Sequence, residues 1–304
     1  MNCSHLIKGP VIPVPTFFND DESLDLKAME KYVTFLSESS IPAVMTTVGT
    51  SRYNLLSWDE IMKNNEALVR GCTGLTQSIV ANPMSGGLKN AIEFGKHAES
   101  INADYFLVYF PERFYGFDNT FSFFKSLSQE LKIKILIHEM PMRNGLGSGN
   151  VQYSIELLER LFSIENIVGM KEESLDIEHS NLLVETFSED VIIIGAGGGM
   201  SRYLYRDFER GAKAYLGGIG NFVPEIEIDF YEKIFSGNIN KATEIVENLE
   251  LKYFEKVVPL GWHPSLKIAM YLKGLCSLNE RRPMKQFPKN EVKKMKEIFN
   301  EFNW

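Results

Sequence analysis

Short apolar runs separated by longer amphipathic stretches recur eight times between residues 11 and 217, and this alternation constrains the fold more tightly than any single motif. The runs are Val11 to Pro15, Ala43 to Thr47, Ser78 to Ala81, Tyr105 to Tyr109, Ile133 to His138, Ile167 to Lys171, Val191 to Gly195 and Ala214 to Gly217. Runs of this length bounded by polar residues suit buried parallel strands. Between them, stretches such as Asp25 to Ser37, Trp58 to Arg70, Leu88 to Ile101, Thr120 to Glu130 and Ser154 to Phe162 repeat apolar residues at three- and four-residue spacing, as amphipathic helices do. Alternating strand and helix implies parallel strands with crossover helices, and eight such units predict an α/β chain closed into a (β/α)8 TIM barrel. A doubly wound sheet would more often show a glycine-rich phosphate turn after its first strand. Here that strand is followed by the acidic loop Thr16-Phe17-Phe18-Asn19-Asp20-Asp21-Glu22, and Asp25 reads as the N-cap of the first helix.

Beyond the eighth strand the pattern turns helical. Ile226 to Phe235, Ile239 to Val257, His263 to Lys273 and Lys289 to Phe302 are separated by Gly237, by Pro259-Leu260-Gly261 and by Arg282-Pro283. That is more helix than one outer-ring position requires. The expectation is a barrel over residues 1–225 with a C-terminal helical extension, 226–304, packed on it as a single structural unit.

Composition excludes some functions. With 44% hydrophobic and 24% charged residues the chain reads as globular, and a net charge of −8 argues against a general nucleic-acid surface. Cys3, Cys72 and Cys276 are scattered and odd in number, so they suggest neither a disulfide framework nor a metal site, and a reducing cytoplasm fits. No secretory leader or run of about 18 apolar residues is visible, so no membrane span is expected.

One amine stands out. In Asn166-Ile167-Val168-Gly169-Met170-Lys171-Glu172-Glu173-Ser174 an apolar run ends in Lys171, at the C-terminal end of the sixth predicted strand, the barrel face where active sites are built. An amine between apolar walls is pushed toward its free, nucleophilic form and can condense with a ketone; the alternative is a lysine snorkelling at a strand end.

Several segments together resemble the dihydrodipicolinate synthase/N-acetylneuraminate lyase family. Ile41-Pro42-Ala43-Val44-Met45-Thr46-Thr47-Val48-Gly49-Thr50-Ser51-Arg52-Tyr53-Asn54-Leu55-Leu56-Ser57 followed by Trp58-Asp59-Glu60 is similar to its second strand and loop. His138-Glu139-Met140-Pro141-Met142-Arg143-Asn144-Gly145 resembles its Tyr-Asn-x-Pro segment, and Gly169 to Ser174 its lysine motif. Gly9 to Phe17 and Gly217 to Pro224 also match in type and order. The resemblance implies a barrel in which Lys171 forms a Schiff base with pyruvate or another 2-oxo acid, without metal or cofactor. The protonated imine then stabilises the carbanion left when a bond to the neighbouring carbon breaks. It further implies that Thr50, with Gly49 beside it, holds the 2-oxo acid carboxylate, that Leu216 borders the substrate, and that Arg143 binds the distal part of the substrate; Thr50 as a core-packing loop residue and Arg143 as a solvent-facing one remain open.

The departures from the family are as informative. His138 stands where the family has a tyrosine that relays protons at the imine carbon, Gly49 replaces a hydroxyl residue, and Arg52 replaces a glutamate. The segment Tyr109-Phe110-Pro111-Glu112-Arg113-Phe114-Tyr115 keeps the proline but not the tyrosine immediately after it. An imidazole exchanges protons near neutral pH, so His138 is the candidate acid/base, set against a neutral histidine satisfied by a backbone carbonyl. Arg52 and Arg113 are candidates for added positive charge at the mouth, and Glu139 either orients His138 or points outward. The Gly195 to Gly199 cluster suits close backbone approach to the pyruvoyl group. The expectation is a Schiff-base aldolase or dehydratase acting on pyruvate or a 2-keto-3-deoxy sugar acid. Alternatives are 4-hydroxy-tetrahydrodipicolinate synthase proper and a non-catalytic keto-acid-binding relative. The expected partners are a small 2-oxo acid and further copies of the chain, as a dimer or tetramer meeting around Tyr109 to Tyr115, with no nucleic acid or membrane.

Overall fold

The computed structural model describes residues 7–83, 86–109, 116–140, 152–174, 176–284 and 286–304. Its strands are β1 (Gly9–Pro13), β2 (Ala43–Met45), β3 (Gln77–Ala81), β4 (Tyr105–Tyr109), β5 (Lys134–Glu139), β6 (Ile167–Glu172), β7 (Ile192–Gly195) and β8 (Ala214–Leu216). They close in sequence order into a barrel, every neighbouring pair parallel. Crossovers are supplied by α1 (Leu26–Glu38), α2 (Trp58–Gly71), α3 (Leu88–Ser100), α4 (Phe117–Glu130), α5 (Ile155–Phe162), α6 (Ile177–Phe187) and the short α7 (Gly199–Arg202). The (β/α)8 barrel expected from the alternation is therefore the fold.

Local chemistry sets the helix starts. Asp25 accepts a hydrogen bond from the Ala28 amide at 3.0 Å, capping α1 as expected, and Ser57 with Glu60 forms a reciprocal capping box at α2. On α5, Leu157, Leu158, Leu161 and Phe162 fall on one face and are buried, each worth roughly 1.5–3 kcal/mol relative to exposure.

Strand edges differ from the sequence expectation for physical reasons. β1 begins two residues early because the Gly9 amide donates to the Lys213 carbonyl at 2.8 Å and pairs in register with Ala214. β2 ends at Met45, where the Thr46 side chain takes over the bonding, donating to Asn65 Oδ1 at 2.9 Å and accepting from the Ala81 amide at 3.1 Å. The end of β2 is thus closed by a side chain that an apolar-run reading does not see.

The C-terminal residues form α8 (Pro224–Phe235), α9 (Ile239–Ile245), α10 (Leu251–Val257), α11 (Trp262–Leu272) and α12 (Lys289–Phe302), with a π-helical turn, Val246–Glu250, joining α9 to α10. Phe222, just after β8, packs its ring against Tyr253, Phe299 and Trp304 at centroid distances of 5.6, 5.5 and 5.5 Å. Glu250 reaches from the helical extension to accept from the Met200 amide at 2.9 Å, and so organises the loop after β7. Among the described residues no helix is long and apolar enough to cross a membrane.

Candidate active site

Register builds the site. His138 of β5 lies opposite Lys171 of β6, and Glu139 lies opposite Glu172. Because side chains alternate along a strand, the first pair shares one face of the barrel wall and the second pair the other. Lys171 and His138 point inward and touch, with Nζ 2.9 Å from Nε2. Glu173, two residues beyond Lys171, falls on the same face. Its Oε2 contacts Lys171 Nζ and lies 3.3 Å from His138 Nε2.

The three groups set one another's charge. Burial and the Lys171 charge outweigh the pull of Glu173 and lower the His138 pKa to about 4, so the imidazole is neutral at neutral pH. It therefore does not titrate near neutral pH, unlike the unperturbed imidazole expected from the sequence. Burial alone would raise the Glu173 carboxyl, but the Lys171 charge and the bonds from His138 and Lys171 hold it well below the usual carboxylate range. Nor does Lys171 sit between purely apolar walls, since a carboxylate and an imidazole cradle its amine. His138 Nδ1 is buried, and among the described residues no backbone carbonyl or other group satisfies it.

A cavity of about 500 Å³ opens beside this group, bordered by Glu173, Thr50, Leu216, Gly197, Trp262 and His263 among others. Thr50 is in its wall, with its own amide donating to Thr47 Oγ1 at 3.1 Å. The loop is pinned by Ser51, which accepts from the Thr47 amide at 2.8 Å and donates to the Val14 carbonyl at 2.7 Å. Leu216 borders the cavity from the end of β8. Gly49, the residue before Thr50, is exposed, and a Cβ built there meets nothing within 4 Å. Gly197 and Gly198 bring backbone to the wall with φ of +81° and +136°, conformations that glycine alone adopts without strain.

Other expectations resolve differently. Arg52 pairs with Glu280 at 3.1 Å, so its charge is spent on fixing the loop to the segment between α11 and α12. Glu139 points outward, accepting from the Tyr153 amide at 2.6 Å and meeting His179 Nε2 at 3.2 Å. Arg143, Arg113 and the Phe110 to Tyr115 stretch lie outside the described residues. Tyr109 is described, and its ring meets His138 edge-on at 5.7 Å. Glu173 was missed as a site residue, although its two-residue offset from Lys171 placed it on the same face. Trp262 and His263 carried no signal, because only the folded chain brings the start of α11 over the barrel mouth.

The outward face carries a second charged group. Arg202 of α7 donates to Glu172 and to the Ala196 carbonyl, and pairs through Nε with Asp207 at 2.8 Å. Ser180 adds a hydroxyl that donates to Glu172 at 2.8 Å. This cluster ties the C-terminal ends of β6 and β7 to the helices outside them.

Known proteins share this architecture. A 4-hydroxy-tetrahydrodipicolinate synthase of Archaeoglobus fulgidus is 23% identical over 297 residues, covering 96% of this chain and 97% of its own. A Bacillus licheniformis protein named "Probable 5-dehydro-4-deoxyglucarate dehydratase" is 25% identical over 278 residues, covering 90% and 85%. The crystal structure of N-acetylneuraminate lyase from Fusobacterium nucleatum superposes with a TM-score of 0.84 at 19% identity, covering 97% of this chain and 99% of that one, a likeness of fold. The model of the dihydrodipicolinate synthetase family matches residues 7–302. With that match over nearly the whole chain, the protein belongs to the dihydrodipicolinate synthetase family, whose members are lyases and synthases.

Proposed function

We propose that this chain is a class I lyase, an aldolase or dehydratase, that binds a 2-oxo acid such as pyruvate or a 2-keto-3-deoxy sugar acid as a Schiff base on Lys171. The observation that carries this reading is a buried amine at the C-terminal end of β6, in contact with an imidazole and a carboxylate, beside a cavity large enough for a small acid. His138, neutral and 2.9 Å from Lys171 Nζ, takes a proton from the amine, and the freed Nζ attacks the ketone carbon. A second N–H proton passes to the new alkoxide, and His138 returns its proton as that hydroxyl departs as water. The iminium then draws electrons from the adjacent carbon. Thr50 is assigned to the substrate carboxylate and Leu216 to the flank of the pyruvoyl group. Gly49 leaves room beside the carboxylate, and Arg143 is assigned to the distal end from the sequence alone.

The relay positions favour this reading over ring-forming dihydrodipicolinate synthesis. An imidazole replaces the expected phenol, and Gly49 offers no hydroxyl. The reading includes a cytoplasmic homo-oligomer. Its test is borohydride reduction in the presence of a panel of 2-oxo acids, read by intact mass. A single reduced adduct with pyruvate or a 2-keto-3-deoxy sugar acid is expected, and an unmodified chain at saturating keto acid contradicts the covalent mechanism.

A further inference from the structure

Lys171, His138 and Glu173 meet at one point, but they do not face the cavity equally. The His138 side chain is 1% exposed and that of Lys171 3%, whereas Glu173 is 20% exposed and forms part of the cavity wall. A substrate joined to Lys171 extends from the amine into the cavity, so the first ionisable side chain its carbons pass is Glu173. His138 stays on the nitrogen side. The two proton-handling groups are thus segregated, one toward the imine carbon and one toward the carbons whose bonds change.

Resting on the Schiff-base reading above, we propose that Glu173 is the substrate-facing general base and acid of this enzyme, exchanging the proton at C3 of the bound 2-oxo acid and at the C4 oxygen of its partner. In the cleavage direction the Glu173 carboxylate removes the proton of the C4 hydroxyl and the C3–C4 bond breaks. Its electron pair enters the iminium to give a neutral enamine, and an aldehyde leaves. Protonated Glu173 then delivers that proton to C3, restoring the iminium, which water hydrolyses to pyruvate and free Lys171. Addition runs through the same steps in reverse, so no other reactant is consumed.

The electrostatics suit this cycle. In the resting site the lysine charge keeps Glu173 anionic. When the iminium becomes an enamine that charge disappears, and the carboxylate grows more basic at the step where it must hold the proton. A neighbouring charge that switches during turnover lets one carboxylate serve as base and then as acid. A carboxylate in the wall also disfavours a second substrate carboxylate beside it, so the partner at C4 is expected to be a neutral hydroxylated aldehyde.

The test is exchange of the pyruvate methyl protons in D2O, followed by NMR, alongside borohydride trapping. Glu173→Gln keeps the side chain's shape and is expected to trap pyruvate on Lys171 while slowing exchange by about a hundredfold or more. Glu173→Asp is expected to recover part of the exchange, and formate to rescue Glu173→Ala. Undiminished exchange in Glu173→Gln, with its adduct intact, overturns this assignment alone. Parallel loss of adduct and exchange in Glu173→Gln, with Glu173→Asp equally unable to trap, also overturns it, because Glu173 would then act in imine formation. Absence of any adduct on the unaltered chain overturns the Schiff-base reading and this one together.

Discussion

Two charged clusters lie back to back on the ends of β5 and β6, one residue apart in register, and they are built to opposite ends. On the outward face, Glu139 and Glu172 are closed off by His179, Ser180, Arg202 and backbone donors. Both carboxylates have several partners, and the group ties strands to helices. On the inward face, Lys171, His138 and Glu173 share bonds with one another, leave His138 Nδ1 unpartnered among the described residues and open on a cavity. Buried charge alone therefore does not mark a site. The mark is charge beside space.

The contrast can be broken from either side. The largest effect belongs to the inward face: His138→Ala should lower turnover by roughly two to four orders of magnitude and slow the appearance of the borohydride adduct with it, though the adduct can still accumulate on long incubation. Turnover unchanged by that substitution would make the imidazole structural. The folded chain resists protonating His138 until about pH 4, whereas an unfolded histidine titrates near its ordinary value of 6.5. The unfolded state thus binds more protons in that window, and stability should fall as pH drops from 6.5 toward 4. Urea midpoints for His138→Ala should show a shallower fall than the unaltered chain.

Next comes the outward face. Arg202→Ala strands two buried carboxylates, Glu172 and Asp207, and should cost about 3–5 kcal/mol in urea unfolding, a loss of fold first and of activity only in consequence. A stable Arg202→Ala protein that fails to trap pyruvate would erase the distinction between the two faces. The smallest effect is expected at Gly49. The space around it is open, so Gly49→Ser should change stability by less than about 0.5 kcal/mol while returning a hydroxyl to the loop beside Thr50. A marked gain in turnover would show that a hydroxyl relay still works in this barrel, and destabilisation would show the loop to be tighter than its geometry suggests.

Legibility from sequence followed the same divide. The barrel was visible because strand-length apolar runs alternate with helical periodicity, and Lys171 because a charge ending such a run is conspicuous. Thr50 and Leu216 were placed by resemblance, and the fold brings both to one cavity wall. Glu173 was hidden in a run of charges, Lys171-Glu172-Glu173, where only the strand's two-residue period separates the outward Glu172 from the inward Glu173. The fate of Arg52 was illegible because its partner, Glu280, is 228 residues away. The apolar environment expected of Lys171 is instead found at Lys267 on α11, whose amine is buried without a hydrogen-bond partner among the described residues, over the Phe17 ring at 5.0 Å, and whose pKa burial lowers.

Those two lysines supply the most direct test of the central claim. Pyruvate and borohydride should be applied to the unaltered chain and to Lys171→Ala, followed by proteolysis and peptide mass mapping. The expected result is one reduced pyruvyl adduct, confined to the peptide that carries Lys171 and lost in Lys171→Ala. An adduct on Lys267, or one that survives Lys171→Ala, would contradict the account, because catalysis would then follow the desolvated amine rather than the one held at the cavity by His138 and Glu173.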